Sequence, residues 1–163
     1  MGALTTLIAL TTITAAAMVT ACTASPPAPS PTTAERPTTP PEQGATFMQI
    51  RLTNGTAEAT ARLYDNATAR DFASLLPLTL SIHDLGGREK AGTLPRALAS
   101  GQGQSDYRAG QLGYWAPSHD LAVYYLEDGF RIPSPGIVMI GEIESGLDAL
   151  TAENANTLSI TAA

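Results

Sequence analysis

Apolar and polar positions fall into three regimes along this chain of 163 residues. From Leu4 to Val19 the residues are apolar or small, interleaved with Thr. From Thr23 to Gly44 almost nothing apolar beyond alanine occurs. From Phe47 onward short runs carry a period. Met48-Gln49-Ile50-Arg51-Leu52 alternates as a half-buried strand does, Asn54-Gly55 supplies a two-residue turn with positive φ, and Ala57 to Tyr64 alternates again, so the pattern predicts a hairpin. Asn66 or Thr68 can cap a short helix, over 67–75, whose Phe72, Leu75 and Leu76 share one face, and Pro77 closes it because its ring cannot continue the hydrogen-bond ladder. Leu78 to Ile82 returns as a strand.

Residues 83–110 hold six glycines and several charges without apolar periodicity, which predicts a long loop region. Gly110 to Ala116 and Leu121 to Leu126 read as two strands joined by Pro117-Ser118-His119-Asp120. Ile137 to Ile143 is a nearly continuous apolar strand, Ser145 can cap a helix of one or two turns holding Leu147 and Leu150, and Leu158-Ser159-Ile160 can close the set. Many short strands with two short helices predict a mainly β domain: a closed or nearly closed barrel of about eight strands with helical plugs.

The first two regimes read as address and tether. The apolar stretch resembles the core of a secretory signal, and it ends at Val19-Thr20-Ala21-Cys22, which looks like a lipobox: an aliphatic residue, two small ones that let a peptidase hold the extended chain, and a thiol that accepts diacylglycerol. Cys22 is the only cysteine, and between an apolar segment and a proline-rich one it has no core to sit in. Residues 1–21 are therefore expected to be a lipoprotein signal peptide. Residues 22–45 are expected to be a lipidated linker and 46–163 the folded domain. The linker holds seven of the twelve prolines, too little apolar surface to offset the entropy of ordering, and a composition that favours an extended spacer. The expected location is the outer, extracytoplasmic face of a cell membrane, with the lipid as the anchor.

Charge narrows the partners. The net charge is -6, and the nine Lys and Arg are scattered singly, so no basic stripe exists for a phosphate backbone and no nucleic-acid partner is expected.

Three segments in order resemble the cyclophilin-type barrel. Leu63-Tyr64-Asp65-Asn66 through Phe72 and Leu75 is similar to that family's passage from strand into first helix. Gly110 to Ala116 followed by Leu121-Ala122-Val123-Tyr124-Tyr125 resembles its central strand pair. Val138-Met139-Ile140-Gly141-Glu142-Ile143 with Glu144 to Leu150 looks like its late strand and the helix after it. The wording is nearest to bacterial cyclophilin-like domains outside the isomerase branch, where Leu-Tyr-Asp-Asn, Leu-Pro-Leu-Thr-Leu and Gly-x-Leu-x-Tyr-Trp-x-Pro recur; here they stand at 63–66, 76–80 and 110–117. The resemblance implies a cyclophilin-like fold over roughly residues 47–161 and no set activity, because a fold does not carry a function with it.

Prolyl isomerisation needs an arginine beside the prolyl amide and an apolar pocket for the ring. The resemblance implies that this arginine would fall in Leu80-Ser81-Ile82-His83-Asp84, which holds none, that the isomerases' Gln would fall near Val123, and that their Trp and His would fall near Ile132 and Ile137. A peptidyl-prolyl isomerase is therefore the alternative reading. The pairs His83-Asp84 and His119-Asp120 show no metal-ligand spacing, Gly101-Gln102-Gly103-Gln104 lacks the lysine of a phosphate loop, and neither metal nor cofactor is expected. The candidate ligand-binding residues are Trp115, Tyr107, Tyr125, Arg88 and Arg96, since aromatic and Arg side chains give a peptide or small-ligand groove its area and orientation. Strand aromatics alternate between faces, so at least one of Tyr124 and Tyr125 should be core. The expected surface is where the 83–110 region meets the strand at 110–116.

Overall fold

The computed structural model describes residues 45–151 and 156–163. The expected signal segment, Cys22 and the linker up to Gly44 lie outside the described residues.

Strands β1 (Thr46–Asn54) and β2 (Ala57–Tyr64) form the expected hairpin, with Asn54 paired to Ala57. The turn sits one residue later than the sequence reading had it. Gly55 and Thr56 are the linking pair, and only Gly55 takes a positive φ, the demand of a type II′ turn on its first residue. Helix α1 (Ala67–Ala73) starts at Asn66, whose side chain accepts from the Ala69 N–H at 2.9 Å. It ends at Ser74, before Leu75, Leu76 and Pro77.

Next come β3 (Leu78–Ser81), β4 (His83–Leu85), β5 (Glu89–Thr93), β6 (Gln111–Trp115), β7 (Asp120–Tyr124), β8 (Val138–Ser145), the single turn α2 (Leu147–Leu150) and β9 (Thr157–Ala162). The sequence reading of 83–110 as loop is corrected for its first third, where β4 and β5 form a hairpin. Glu89-Lys90-Ala91-Gly92-Thr93 conceals itself in sequence because its inward positions are Lys and Gly and its outward row centres on Ala91. Ser145 does not cap α2 either. It ends β8, with its hydroxyl 2.8 Å from that of Thr60, and Gly146 stands before the turn at φ +79°.

All neighbours are antiparallel, in the order β3-β9-β1-β2-β8-β6-β7-β5-β4. The two ends of that order are consecutive in the chain. Residues 78–85 pair with β9 first and β5 afterwards, changing partner at Ile82, so one bent segment nearly closes the sheet into a barrel. Alternation then sorts the side chains. Ile50, Leu52, Leu63, Leu112, Tyr114, Leu121, Ile140, Leu158 and Ile160 fill the interior, and Phe72 of α1 packs against them. A smaller apolar cluster lies apart from it: Tyr64, Tyr107, Ala122, Tyr124, Ile132, Ile137 and Met139, with Trp115 against it. Its strand members alternate with the interior residues of β6, β7 and β8, which puts it on the outer face of the sheet.

Candidate functional site

Register builds a depression on that outer face. Paired residues of antiparallel strands point the same way, so three rows run across β4 to β7. One row is Leu85, Glu89 and Tyr124; the middle row is His83, Ala91, Ala122 and Gly113; the third, starting at β5, is Thr93, Asp120 and Trp115. From β5 to β7 the middle row is small, between Glu89 and Tyr124 on one side and Asp120 and Trp115 on the other, which leaves a hollow. The segment 130–137 borders it with Phe130, Ile132, Pro133 and Ile137. The result is a cavity of about 140 Å³, with Trp115 in its lining. Trp115 is half-buried and Phe130 is 46% exposed, so both keep aromatic surface open to an entering group.

A hydrogen-bonded brace holds the 126–133 segment in place. Asp128 accepts from the Tyr107 hydroxyl at 2.6 Å, the Arg88 Nε at 3.0 Å and the Phe130 N–H at 3.0 Å. These three donors hold its carboxyl down at about 2. The Arg88 guanidinium lies 4.2 Å from the centre of the Phe130 ring, a cation–π contact that fixes the ring at the rim. Tyr107 stacks on Tyr124 with ring centres 4.2 Å apart. Burial first, and the Asp128 charge after it, push the Tyr107 phenol up to about 12, so it stays a donor at neutral pH. Burial also raises Tyr124, and the neighbouring Glu89 carboxylate adds to that. Glu89 itself is raised, mainly by burial, against the pull of the Tyr124 hydroxyl and the Arg88 charge.

Of the five residues singled out by sequence, Trp115 lines the cavity, Tyr107 stands behind Tyr124, and Arg88 pins Phe130 and Asp128 at the rim. Tyr125 belongs to the opposite face. It follows outward-facing Tyr124, its hydroxyl donates to Asp84, and the Lys90 amine sits over its ring at 5.9 Å and 3.4 Å from Asp84. Burial first, then the Asp84 charge, push the Tyr125 phenol up to about 12. Arg96 lies away from the cavity, tied to Asp71 of α1 by two hydrogen bonds and to Ser74 by a third. The cavity takes Leu85, Glu89 and Ala91 from the 83–110 region and Trp115 from the strand at 110–116, and it adds residues of β7 and of 130–137 that the sequence reading did not name. It is bordered by β4 and β5 and by residues 130–137, while the 94–110 stretch contributes Tyr107 from behind.

Sequence reasoning missed Glu89, Asp120, Phe130 and the apolar residues at 132, 133 and 137 as lining residues. One signal was available: Phe130 and Ile132 are isolated apolar residues in a stretch set with Gly129, Pro133, Pro135 and Gly136, where apolar side chains need some surface to cover. Among the described residues no three His, Cys, Asp or Glu side chains gather as a metal site requires.

The model of the cyclophilin-like family matches residues 52–161. The chain belongs to the cyclophilin-like family. Its fold is similar to the solution structure of a hypothetical protein from Archaeoglobus fulgidus, at 22% identity and TM-score 0.60, covering 76% of this chain and 99% of that one. It is also similar to a cyclophilin-type peptidyl-prolyl cis-trans isomerase from Cryptosporidium parvum, at 12% identity and TM-score 0.45, covering 72% and 98%. No curated protein matches the sequence. Within this cyclophilin-like domain, Val123 turns into the interior, whereas Ile132 and Ile137 border the cavity.

Proposed function

We propose that this cyclophilin-like domain is a binding module, lipid-anchored through Cys22 at the outer face of a membrane, that holds one side chain or small ring in the cavity beside Trp115. The observation that carries the binding reading is the open apolar hollow itself. A polar surface row would have no reason to expose Trp115 and Phe130 around two alanines and a glycine, and exposed apolar concavities mark sites of contact. Its volume of about 140 Å³ is near the roughly 150 Å³ that accommodates a benzene-sized group, and below a drug-sized pocket. Only part of a ligand can enter. For the anchor, the support is the lipobox-like Val19-Thr20-Ala21-Cys22 and the proline-rich spacer after it.

Two measurements test the reading. Amide spectra of the full chain titrated with small ring compounds and capped peptides should show shifts concentrated at Ala91, Gly113, Ala122 and Ile137; a panel that moves none of them ends the binding reading. An isomerisation assay on an Xaa-Pro peptide runs beside it, and turnover abolished by Arg88→Ala would replace the module with an enzyme. For the anchor, Cys22→Ser should move the protein out of the membrane fraction and remove a lipid label.

A further inference from the structure

The same cavity carries two carboxylates that form no ion pair among the described residues. Glu89 stands across from Tyr124, and Asp120 stands between Thr93 and Trp115. The nearby cations are committed elsewhere: Arg88 to Asp128 at 3.0 Å, and Lys90 to Asp84 at 3.4 Å on the other face of β5. Among the described residues no Lys, Arg or His forms an ion pair with Glu89 or Asp120. Asp120 accepts from the Thr93 hydroxyl at 2.7 Å and the Ser118 hydroxyl at 2.5 Å, so its oxygens are partly satisfied as acceptors by neutral donors.

Each part of this lining selects for an organic cation. Negative charge without an ion pair beside apolar walls is costly and favours a positive guest. The ring face of Trp115 is electron-rich and attracts cations, while one face of Phe130 already carries the Arg88 guanidinium. An anion would be repelled, and a neutral apolar guest would leave both carboxylates facing carbon. A primary ammonium brings three N–H donors that each need an acceptor, and beyond the two carboxylates the lining is mostly carbon. A methylated nitrogen has no such need, and its methyl groups can pack on Ala91, Ala122 and Ile137.

We propose that the cavity binds a free methylated ammonium headgroup of about the size of choline. This rests on the cavity being a binding site. Trp115 is the only tryptophan in the chain, so its fluorescence reports occupancy directly. The full chain is titrated with choline, with its uncharged isostere 3,3-dimethylbutanol, with ethanolamine and with a capped lysine peptide. Choline should change the emission saturably, 3,3-dimethylbutanol should bind at least about tenfold more weakly, and Glu89→Gln should weaken choline severalfold. Asp120→Asn, at a half-exposed position, gives the same readout should Glu89→Gln fail to fold. If 3,3-dimethylbutanol binds as tightly as choline, the cation is wrong and the apolar site stands. Tighter binding of ethanolamine or of the lysine peptide overturns the methylated headgroup. If none of the four changes Trp115 emission, both this proposal and the binding site fall.

Discussion

At Gly113 an added Cβ would lie 2.5 Å from Ile137 Cγ1 and 3.4 Å from a ring carbon of Tyr124, so the absence of a side chain there is what lets Ile137 lie down over the sheet and shape the cavity. Gly113→Ala should force Ile137 outward, cost about 1–3 kcal/mol as overpacking does, and narrow the cavity. Urea denaturation gives the stability change, and loss of the amide shifts at Ala91 and Ala122 gives the effect on the site; a variant as stable as the parent with the same shifts would show that Ile137 has room to move. The other decisive residue is Asp128. One side chain ties Tyr107, Arg88 and the Phe130 backbone together, so the aromatic wall and the rim depend on a single carboxylate.

Among the elements, α1 shows how a short helix is held in place. Seven residues are too few for a helix to be stable alone, so its caps and its packing must supply what length does not. Asn66 does both jobs: its oxygen accepts from Ala69 at the helix start, and its Nδ2 donates to the Met139 carbonyl of β8 at 3.0 Å. Asn66→Ala should cost about 1–2 kcal/mol, measured as a fall in denaturation midpoint, because it removes the cap and leaves a partly buried carbonyl without its donor. Asn66→Asp should recover the cap and not the link to β8. The far end of the helix is tied by Asp71, which accepts from Arg96 and from the Ala99 N–H at 2.6 Å, so the loop after β5 is anchored to α1.

For the whole molecule, these carboxylates set the response to acid. In the fold Asp71 is held down to about 2, by Arg96 first and the Ala99 N–H next, and Asp128 is held to about 2 by Tyr107 first, against an ordinary 3.8 for both. The unfolded chain therefore takes up protons more readily, and the stability these groups contribute is complete above about pH 4 and lost as pH falls toward 2. Glu89 acts in the opposite sense. Burial raises it above its ordinary 4.5, so its contribution is fully present below that value and is lost as pH rises through the raised one. Denaturation midpoints across the acid range should fall steeply between about pH 4 and 2, and the double variant Asp71→Asn, Asp128→Asn should flatten that fall. An unflattened slope would place the acid sensitivity elsewhere.

The period of two in 47–64, the capping Asn66 and the apolar run at 137–143 determined the barrel class, because burial on one face writes itself into alternation wherever the interior side chains are large. Trp115 was legible as a site candidate for the same reason: a large aromatic at a strand end is conspicuous. Other features were decided only by the tertiary structure. Strand β5 hides because its inward positions are Lys90 and Gly92, and the bend at Ile82 depends on a change of partner from β9, far away in the chain, to β5. The cavity exists because Ala91, Ala122 and Gly113 fall into one row, and a row is a property of register between strands, which the order of residues within any one strand does not contain.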